Sequence, residues 1–477
     1  LGVGAYARPD LPRDVRRASA VVGRYNGGDT QTGYEFAKDH AGKLIYVPEW
    51  KQWLEFNGLR WVPCNPLEFI QAWASKRIYD HPDARLMRKL DRKERGKTFK
   101  ARVDLWESIR LQKSALEAAS AHPGIRKHAH ELDTNPWLLG TRNAVVDLRN
   151  SGFPLDPQPD QFITKAAGTH YDADAQSDLW DSFLETAIPN AEMRGFVQRC
   201  VGYSLAGVVD EEKLFFVHGP GASGKSTFAN VVEAALGEYS ATASKDLLVR
   251  TRHASEAERQ ILRLMGARMV SINETASGDV FDDQLVKRIT SREAIPARRL
   301  YGEAFAFQPT HTAWLRGNYL PGVHDAGSGF WRRLVPIEFA NVIPPEKRIP
   351  DLDRRLIEEA LPTVLTWAVD GCTEWQERGL GIPRSVEIAT EAYRESTDLF
   401  GQWLSECTKR DPSGKVKTAD LFASYTEYAN AWGASAGSKR SFTDELERRG
   451  FAREASHKNG RRFAGLRLLA SREFDDV

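Results

Sequence analysis

The stretch Leu214-Phe215-Phe216-Val217-His218-Gly219-Pro220-Gly221-Ala222-Ser223-Gly224-Lys225-Ser226-Thr227 decides the fold class. Its opening apolar run suits a strand buried on both faces. Residues 219–227 fit the spacing GxxxxGK[ST], and 228–236 continue as an amphipathic helix that Gly237 can end. Strand, glycine-rich turn and helix in this order gather main-chain N–H groups around phosphates. Glycines remove the Cβ atoms that would hold the backbone away, and the helix N-terminus adds a dipole that favours negative charge. In such a loop Lys225 reaches the β and γ phosphates of ATP and Ser226 holds Mg²⁺. Gly219, Pro220, Gly221, Ala222, Ser223, Gly224, Lys225, Ser226 and Thr227 are therefore the nucleotide-binding candidates, and the expected fold is α/β.

Working towards the C-terminus, 268–272 (Arg-Met-Val-Ser-Ile) reads as a second buried strand running into Asn273-Glu274. A carboxylate at the C-terminal end of such a strand can orient an attacking water or help hold Mg²⁺, which makes Glu274 the candidate catalytic acid and a metal ligand beside Ser226. A third strand, 312–315, ends in Gly317-Asn318, where the amide could sense the γ-phosphate or serve only the turn before Pro321. Trp331-Arg332-Arg333 leads into the apolar segment 334–337; a fixed guanidinium there suits charge developing on a γ-phosphoryl group, or a surface ion pair.

The order of these elements resembles the superfamily 3 helicases, specifically the phage and plasmid primase-helicase type. The likeness is carried by the loop at 219–227, Ser271-Ile272-Asn273-Glu274-Thr275, Leu285-Val286-Lys287-Arg288-Ile289-Thr290, Ala297-Arg298-Arg299-Leu300-Tyr301, Gly317-Asn318-Tyr319-Leu320-Pro321 and Trp331-Arg332-Arg333. Upstream, Asn135-Pro136-Trp137-Leu138-Leu139, Asn143-Ala144-Val145-Val146-Asp147-Leu148 and Tyr171-Asp172 are similar to the helical domain that precedes the ATPase in these proteins. The resemblance implies an AAA+-like P-loop ATPase working as a ring, usually a hexamer, that hydrolyses ATP and draws single-stranded DNA through its pore. It implies Glu274 as catalytic acid, Asn318 as sensor, one of Arg332 and Arg333 as the finger, and Lys287, Arg288, Arg298 and Arg299 as cations near the pore DNA. The chain departs from the pattern at Ser291-Arg292-Glu293, where relatives commonly carry Gly-Gly-Asp, and at Ser328, where an acid is common.

Nearer the N-terminus, residues 1–40 carry no sustained period and read as a loose lead-in. Tyr46, Trp50, Trp53, Phe56 and Trp61 around Asn57-Gly58 read as a hairpin with an aromatic face. Residues 85–102 hold nine Lys or Arg against Asp91 and Glu94, at helical spacing; such a run is a solvated face or a nucleic-acid contact. The helical pattern continues over 103–121, and short strands and turns follow around 135–159. At the other end, 363–375 reads as a helical lid or linker. The last unit gives helix 418–432, helix 441–449, a strand, a turn and strand 465–469, a winged-helix order. Lys439 and Arg440 at a helix start, with Arg461 and Arg462 at the turn, would form one basic, DNA-binding face. The expected organisation is a loose segment at 1–40, a mainly helical collar-like domain at 41–177, the ATPase at 178–345, a lid at 346–395 and a winged helix at 396–477.

Composition bounds the rest. The 477 residues suggest about three domains. Their 41% hydrophobic and 27% charged content is that of folded proteins, and 66 basic against 65 acidic residues leave a net charge of +1, so nucleic-acid binding must come from local patches. Cys64, Cys200, Cys372 and Cys407 have no metal-ligand spacing and read as packing residues in a reducing compartment. No apolar run is long enough for a membrane span and no signal peptide is evident, which points to the cytoplasm, that of a host if the protein is phage-encoded. The chain opens at Leu1, as a piece of something longer would. Residues 1–40 are too short for a primase domain and hold no acidic cluster for two metals, so priming would fall to a separate primase or polymerase partner. The expected activity is ATP-dependent unwinding at a replication fork or origin. The alternatives are a DNA-binding initiator that uses ATP only to assemble, and a P-loop small-molecule kinase.

Overall fold

The computed structural model describes residues 28–79, 92–249, 260–275, 279–298, 304–323, 327–431, 436–454 and 461–469. Its first element is a helix, Asp29–His40, inside the segment expected to be loose. The helix is polar in composition, but Phe36 and Ala37 are fully buried and pack with Ala115, Leu116 and Ala119 of the helix Ile109–Ser120, so tertiary burial outweighs weak local patterning. Next comes an antiparallel sheet of β1 (Leu44–Val47), β2 (Gln52–Phe56) and β3 (Trp61–Pro63). Asn57-Gly58 turns β2 into β3 as expected, with Asn57 Oδ1 accepting from the Leu59 and Arg60 amides at 3.0 and 2.9 Å. β1 is an additional strand. Helices Pro66–Tyr79 and Arg92–Glu107 follow, and the helical stretch expected over 103–121 is broken at Ser108, whose Oγ caps Ile109–Ser120. Of the basic run, residues 85–91 lie outside the described residues. β4 (Leu138–Gly140), β5 (Val145–Asp147) and β6 (Phe153–Leu155) form a second small antiparallel sheet.

Helices Asp178–Ala187 and Ala191–Leu205 lead into the central parallel sheet. Its strands are β7 (Leu214–His218), β8 (Ser240–Ala243), β9 (Met269–Thr275), β12 (Thr312–Gly317) and β13 (Leu334–Glu338), in the spatial order β13-β7-β12-β9-β8. Between β9 and β12 a two-stranded hairpin of β10 (Ile295–Arg298) and β11 (Ala304–Phe307) stands apart. Both faces of the parallel sheet are covered, which is why its strands read as continuous apolar runs. Phe215 and Val217 pack with Trp180, Phe228, Trp314 and Val364, whereas Leu214 and Phe216 pack with Val270, Leu315, Val286 and Phe330 on the other side. A mixed α/β fold around a parallel sheet is thus present. The helix Leu361–Arg378 covers the stretch read as a lid, and Cys200 and Cys372 are buried packing residues. Among the described residues no helix is long and apolar enough to cross a membrane.

Main-chain bonds clamp the far end of the helix Lys225–Leu236 to the segment before the sheet. Gly168 N donates to Ala235 O at 2.9 Å, Glu238 N donates to Ala166 O at 3.0 Å, and Arg60 pairs with Glu238. A Cβ on Gly168 would lie 1.8 Å from Ala234 O. Gly168→Ala should therefore destabilise by about 3 kcal/mol or more, because backbone must move to admit it. The check is the urea midpoint, which should fall with an unchanged slope.

The last unit comprises helix Leu399–Cys407, β14 (Thr408–Lys417), helices Thr418–Ala431 and Lys439–Arg448, β15 (Ala452–Glu454) and β16 (Arg462–Leu468), with strand order β14-β16-β15. Phe400, Trp403, Leu421, Phe442, Leu446, Phe463 and Leu466 form its own core. β14 was not anticipated: four basic residues, a proline and a glycine hide its period.

Candidate nucleotide site and cationic surfaces

The loop at 219–224 leaves the end of β7 and feeds the helix Lys225–Leu236, as the sequence pattern requires. Gly219 has φ +137°, and a Cβ there would stand 2.4 Å from Phe339 O, so only glycine fits between β7 and the end of β13. Ile343 N donates to Ala222 O at 2.9 Å and fixes the loop's outer side. Lys225 is buried. Its Nζ donates to Gly219 O at 2.8 Å, Pro220 O at 2.6 Å and Ser223 Oγ at 3.2 Å. Burial lowers its pKa from the ordinary lysine value. An amine held by neutral carbonyls can exchange them for phosphate oxygens, which form stronger charge-assisted bonds. Ser226 is exposed at the first turn of the helix, where a hydroxyl can join a metal bound to phosphate; Thr227 is half-buried.

Strand register gathers the other candidates. Gly317 lies opposite His218 on one side and Thr275 on the other, so the start of the loop, Glu274 and Asn318 share one edge of the sheet. Asn318 is exposed there; the side chain of Glu274 lies outside what the structure describes. Between them is a residue that sequence reading missed. Arg316 donates from Nε to Asn273 Oδ1 at 3.0 Å and pairs with Glu233 Oε1 at 3.4 Å, while Ser271 Oγ donates to Glu233. Its only signal was a cation inside an apolar run, Leu315-Arg316-Gly317.

The arginine pair is not part of that edge. Leu334 pairs with Leu214 at the opposite end of β7, so Arg332 and Arg333 stand about 13 Å away along a five-residue strand. They also differ from one another. Arg333 has a side chain 9% exposed, donating to Gly329 O at 2.7 Å and pairing with Glu212 at 2.9 Å. Arg332 has a side chain 61% exposed and meets the same carboxylate at 2.7 Å. The buried arginine anchors; the exposed one is accessible.

The β10–β11 hairpin carries Arg298 at its tip, opposite Ala304, and Arg298 is exposed. Arg299 lies outside the described residues. On the helix Asp283–Thr290, Lys287 pairs with Asp283 at 2.7 Å and Arg288 donates to Pro296 O at 3.0 Å, tying helix to hairpin. Arg292, in the segment that departs from the family pattern, donates to Asp210 O at 2.6 Å. His311 joins the same helix to β12: its Nε2 lies 3.1 Å from Ile289 O, and burial pushes its pKa down to about 4 from 6.5. The folded protein then holds this imidazole neutral while the unfolded chain protonates. Its contribution to stability is full above pH 6.5, falls as pH drops towards 4, and is constant below. About 2 kcal/mol should be lost between pH 7.5 and 5 on this account. His311→Gln, which cannot titrate, should flatten that part of the profile in urea unfolding.

In the last unit Lys439 and Arg440 are exposed at the start of a helix capped by Ser438, whose Oγ accepts from Ser441 N at 3.1 Å. Arg461 is exposed just before β16. Arg462 pairs in register with Lys417, on the side of the sheet away from the core that Phe442 of that helix fills. Arg462 therefore faces away from the side of the sheet on which that helix packs. The reason is strand alternation: Phe463 turns inward, so Arg462 turns outward.

Among the described residues no His, Cys, Asp and Glu group could hold a metal ion. Residues 34–189 match the family model described as D5 N terminal like. "Putative helicase L207/L206" of Acanthamoeba polyphaga mimivirus is 26% identical over 323 residues, 62% of this chain and 33% of that protein. "Putative helicase 022R" of Frog virus 3 is 26% identical over 271 residues, 52% of this chain and 28% of that protein. "Putative primase C962R" of African swine fever virus is 24% identical over 332 residues, 64% and 34% of the two chains. The chain thus spans about a third of the length of these relatives. Among solved structures, the C-terminal region of NrS-1 aligns at a TM-score of 0.49 and 10% identity, covering 91% of this chain and 98% of that one. Through its D5 N-terminal-like segment and its viral relatives, the chain is similar to proteins of the phage and viral primase-helicase type.

Proposed function

We propose that the protein is an ATP-dependent DNA helicase of viral or plasmid-type replication, working as a ring with ATP hydrolysed between subunits. One observation carries this reading. The loop at 219–224, Glu274 and Asn318 share one edge of the parallel sheet, while Arg332 is exposed at the other, about 13 Å from its own loop, a place that suits a nucleotide held by a neighbouring subunit. In this reading residues 178–345 are the motor, 41–177 a collar clamped to it, 346–395 a lid and 396–477 a winged-helix unit. Lys225 and the loop amides hold the triphosphate, Ser226 and Glu274 hold Mg²⁺, and Glu274 orients the water. The bound Mg²⁺ would neutralise phosphate charge; orientation and proton handling fall to the chain's own groups. The β10–β11 hairpin with Arg298, supported by Lys287 and Arg288, grips phosphates of single-stranded DNA, a contact without base information.

The test is ATP turnover with and without single-stranded DNA, followed by strand displacement on a forked duplex. DNA-stimulated hydrolysis with displacement is the expected result. Stimulation without displacement would favour the initiator, and hydrolysis indifferent to DNA would favour a small-molecule kinase.

A further inference from the structure

A second cationic surface lies on the outer face of the three-stranded sheet in the last unit. On β16, Phe463 and Leu466 are fully buried, and Gly465, at φ +89°, supplies the extra residue that lets both point inward. Arg462, Ala464 and Arg467 therefore face outward. Register then places Lys417 across from Arg462, Lys415 across from Ala464 and Lys409 across from Arg467, all on that face. All three lysines and Arg467 are exposed. From β15, Ala452 and Glu454 join them, and Glu454 pairs with Lys415 at 2.8 Å. At the bulge in β14 a further carboxylate, Asp411, is held by Ser413 N and Oγ at 3.0 and 2.7 Å. Five cations against Glu454 thus cover about 15 Å of sheet.

We infer that this outer sheet face binds the phosphate backbone of duplex nucleic acid. Charge selects a polyanion, and the rest of the face selects its form. None of the eight outward residues at 409, 415, 417, 452, 454, 462, 464 and 467 is aromatic. Surfaces that hold single strands combine cations with aromatic rings on which bases stack, and Phe463, between the outward residues Arg462 and Ala464, is buried on the other side. A duplex keeps its bases stacked within and presents one charge per about 1.7 Å of axis, which a flat cationic sheet can meet without rings. This surface is distinct from the Lys439 and Arg440 helix start, and it shares with the helicase reading only the class of ligand.

The full chain carrying Lys409→Gln, Lys415→Gln and Lys417→Gln is compared with wild type and with Lys439→Gln/Arg440→Gln. Anisotropy titrations use a labelled duplex of arbitrary sequence and its isolated strand at several salt concentrations, with circular dichroism to check folding. The triple variant should bind duplex roughly tenfold or more weakly, and its log K against log salt slope should be shallower by about 2 to 3, close to one per lysine. An unchanged duplex affinity and slope overturns the assignment, as does a loss confined to the single strand. An inactive wild-type ATPase with lysine-dependent duplex binding would count against the helicase reading and uphold this one.

Discussion

Arg332→Ala should lower ATP turnover by about a thousandfold or more while nucleotide binding persists, whereas Arg333→Ala should act chiefly on stability. The two adjacent arginines separate because burial assigns them different work. Arg333 is bound to Glu212 and to Gly329 O inside the protein, and replacing it removes charged hydrogen bonds, a cost of about 1.5–3 kcal/mol readable as a lower urea midpoint. Arg332 is exposed, so its pairing with Glu212 adds little to stability and can be given up. It sits at the wrong end of β7 to serve its own loop. A guanidinium supplied to a neighbouring subunit has a signature no structural role shares. Mixed with Lys225→Ala chains, Arg332→Ala chains should regain part of the lost turnover, because some interfaces then join an intact loop to an intact finger. Mixtures as inactive as the separate variants would remove Arg332 from that role.

What could be read from the sequence tracks how each element is buried. β7, β9, β12 and β13 are covered on both faces, so their apolar runs and the glycine-rich turn after the first were plain. The helix Asp29–His40 was hidden because only Thr32, Gly33, Phe36 and Ala37 of it are buried, and two of those are not strongly apolar. β14 was hidden by function-like chemistry: lysines and an arginine along a strand, interrupted by Asp411-Pro412-Ser413-Gly414, look like a loop until pairing with β16 reveals their common face. Arg316 was hidden for the opposite reason, since a single cation in a strand carries no pattern until Glu233 and Asn273 surround it. The candidate site follows the same rule. Residues contiguous in the chain, such as 219–227, were legible. The separation of Arg332 from Arg333, and of Arg462 from Lys439 and Arg440, depends on side-chain alternation and on register between distant strands.

Glu274→Gln and Lys225→Ala should both abolish unwinding, but by different routes. Gln keeps the size of Glu274 and can still accept a hydrogen bond, yet it cannot take a proton from water or carry the negative charge that helps hold Mg²⁺. Turnover should fall about 10²- to 10⁴-fold with ATP still bound. Lys225→Ala removes the amine now seated on the carbonyls of Gly219 and Pro220, and with it the cation nearest the phosphates. Affinity for ATP should then fall along with turnover, so the two variants part in a binding measurement with a fluorescent ATP analogue. Because Lys225 also ties the loop to itself through Ser223, the alanine variant's loop should be cleaved faster by protease without nucleotide, and the Glu274 variant's should not. Full turnover by Glu274→Gln would move the catalytic acid elsewhere. Glu233, on the helix after the loop and 3.4 Å from Arg316, would be the next carboxylate to replace.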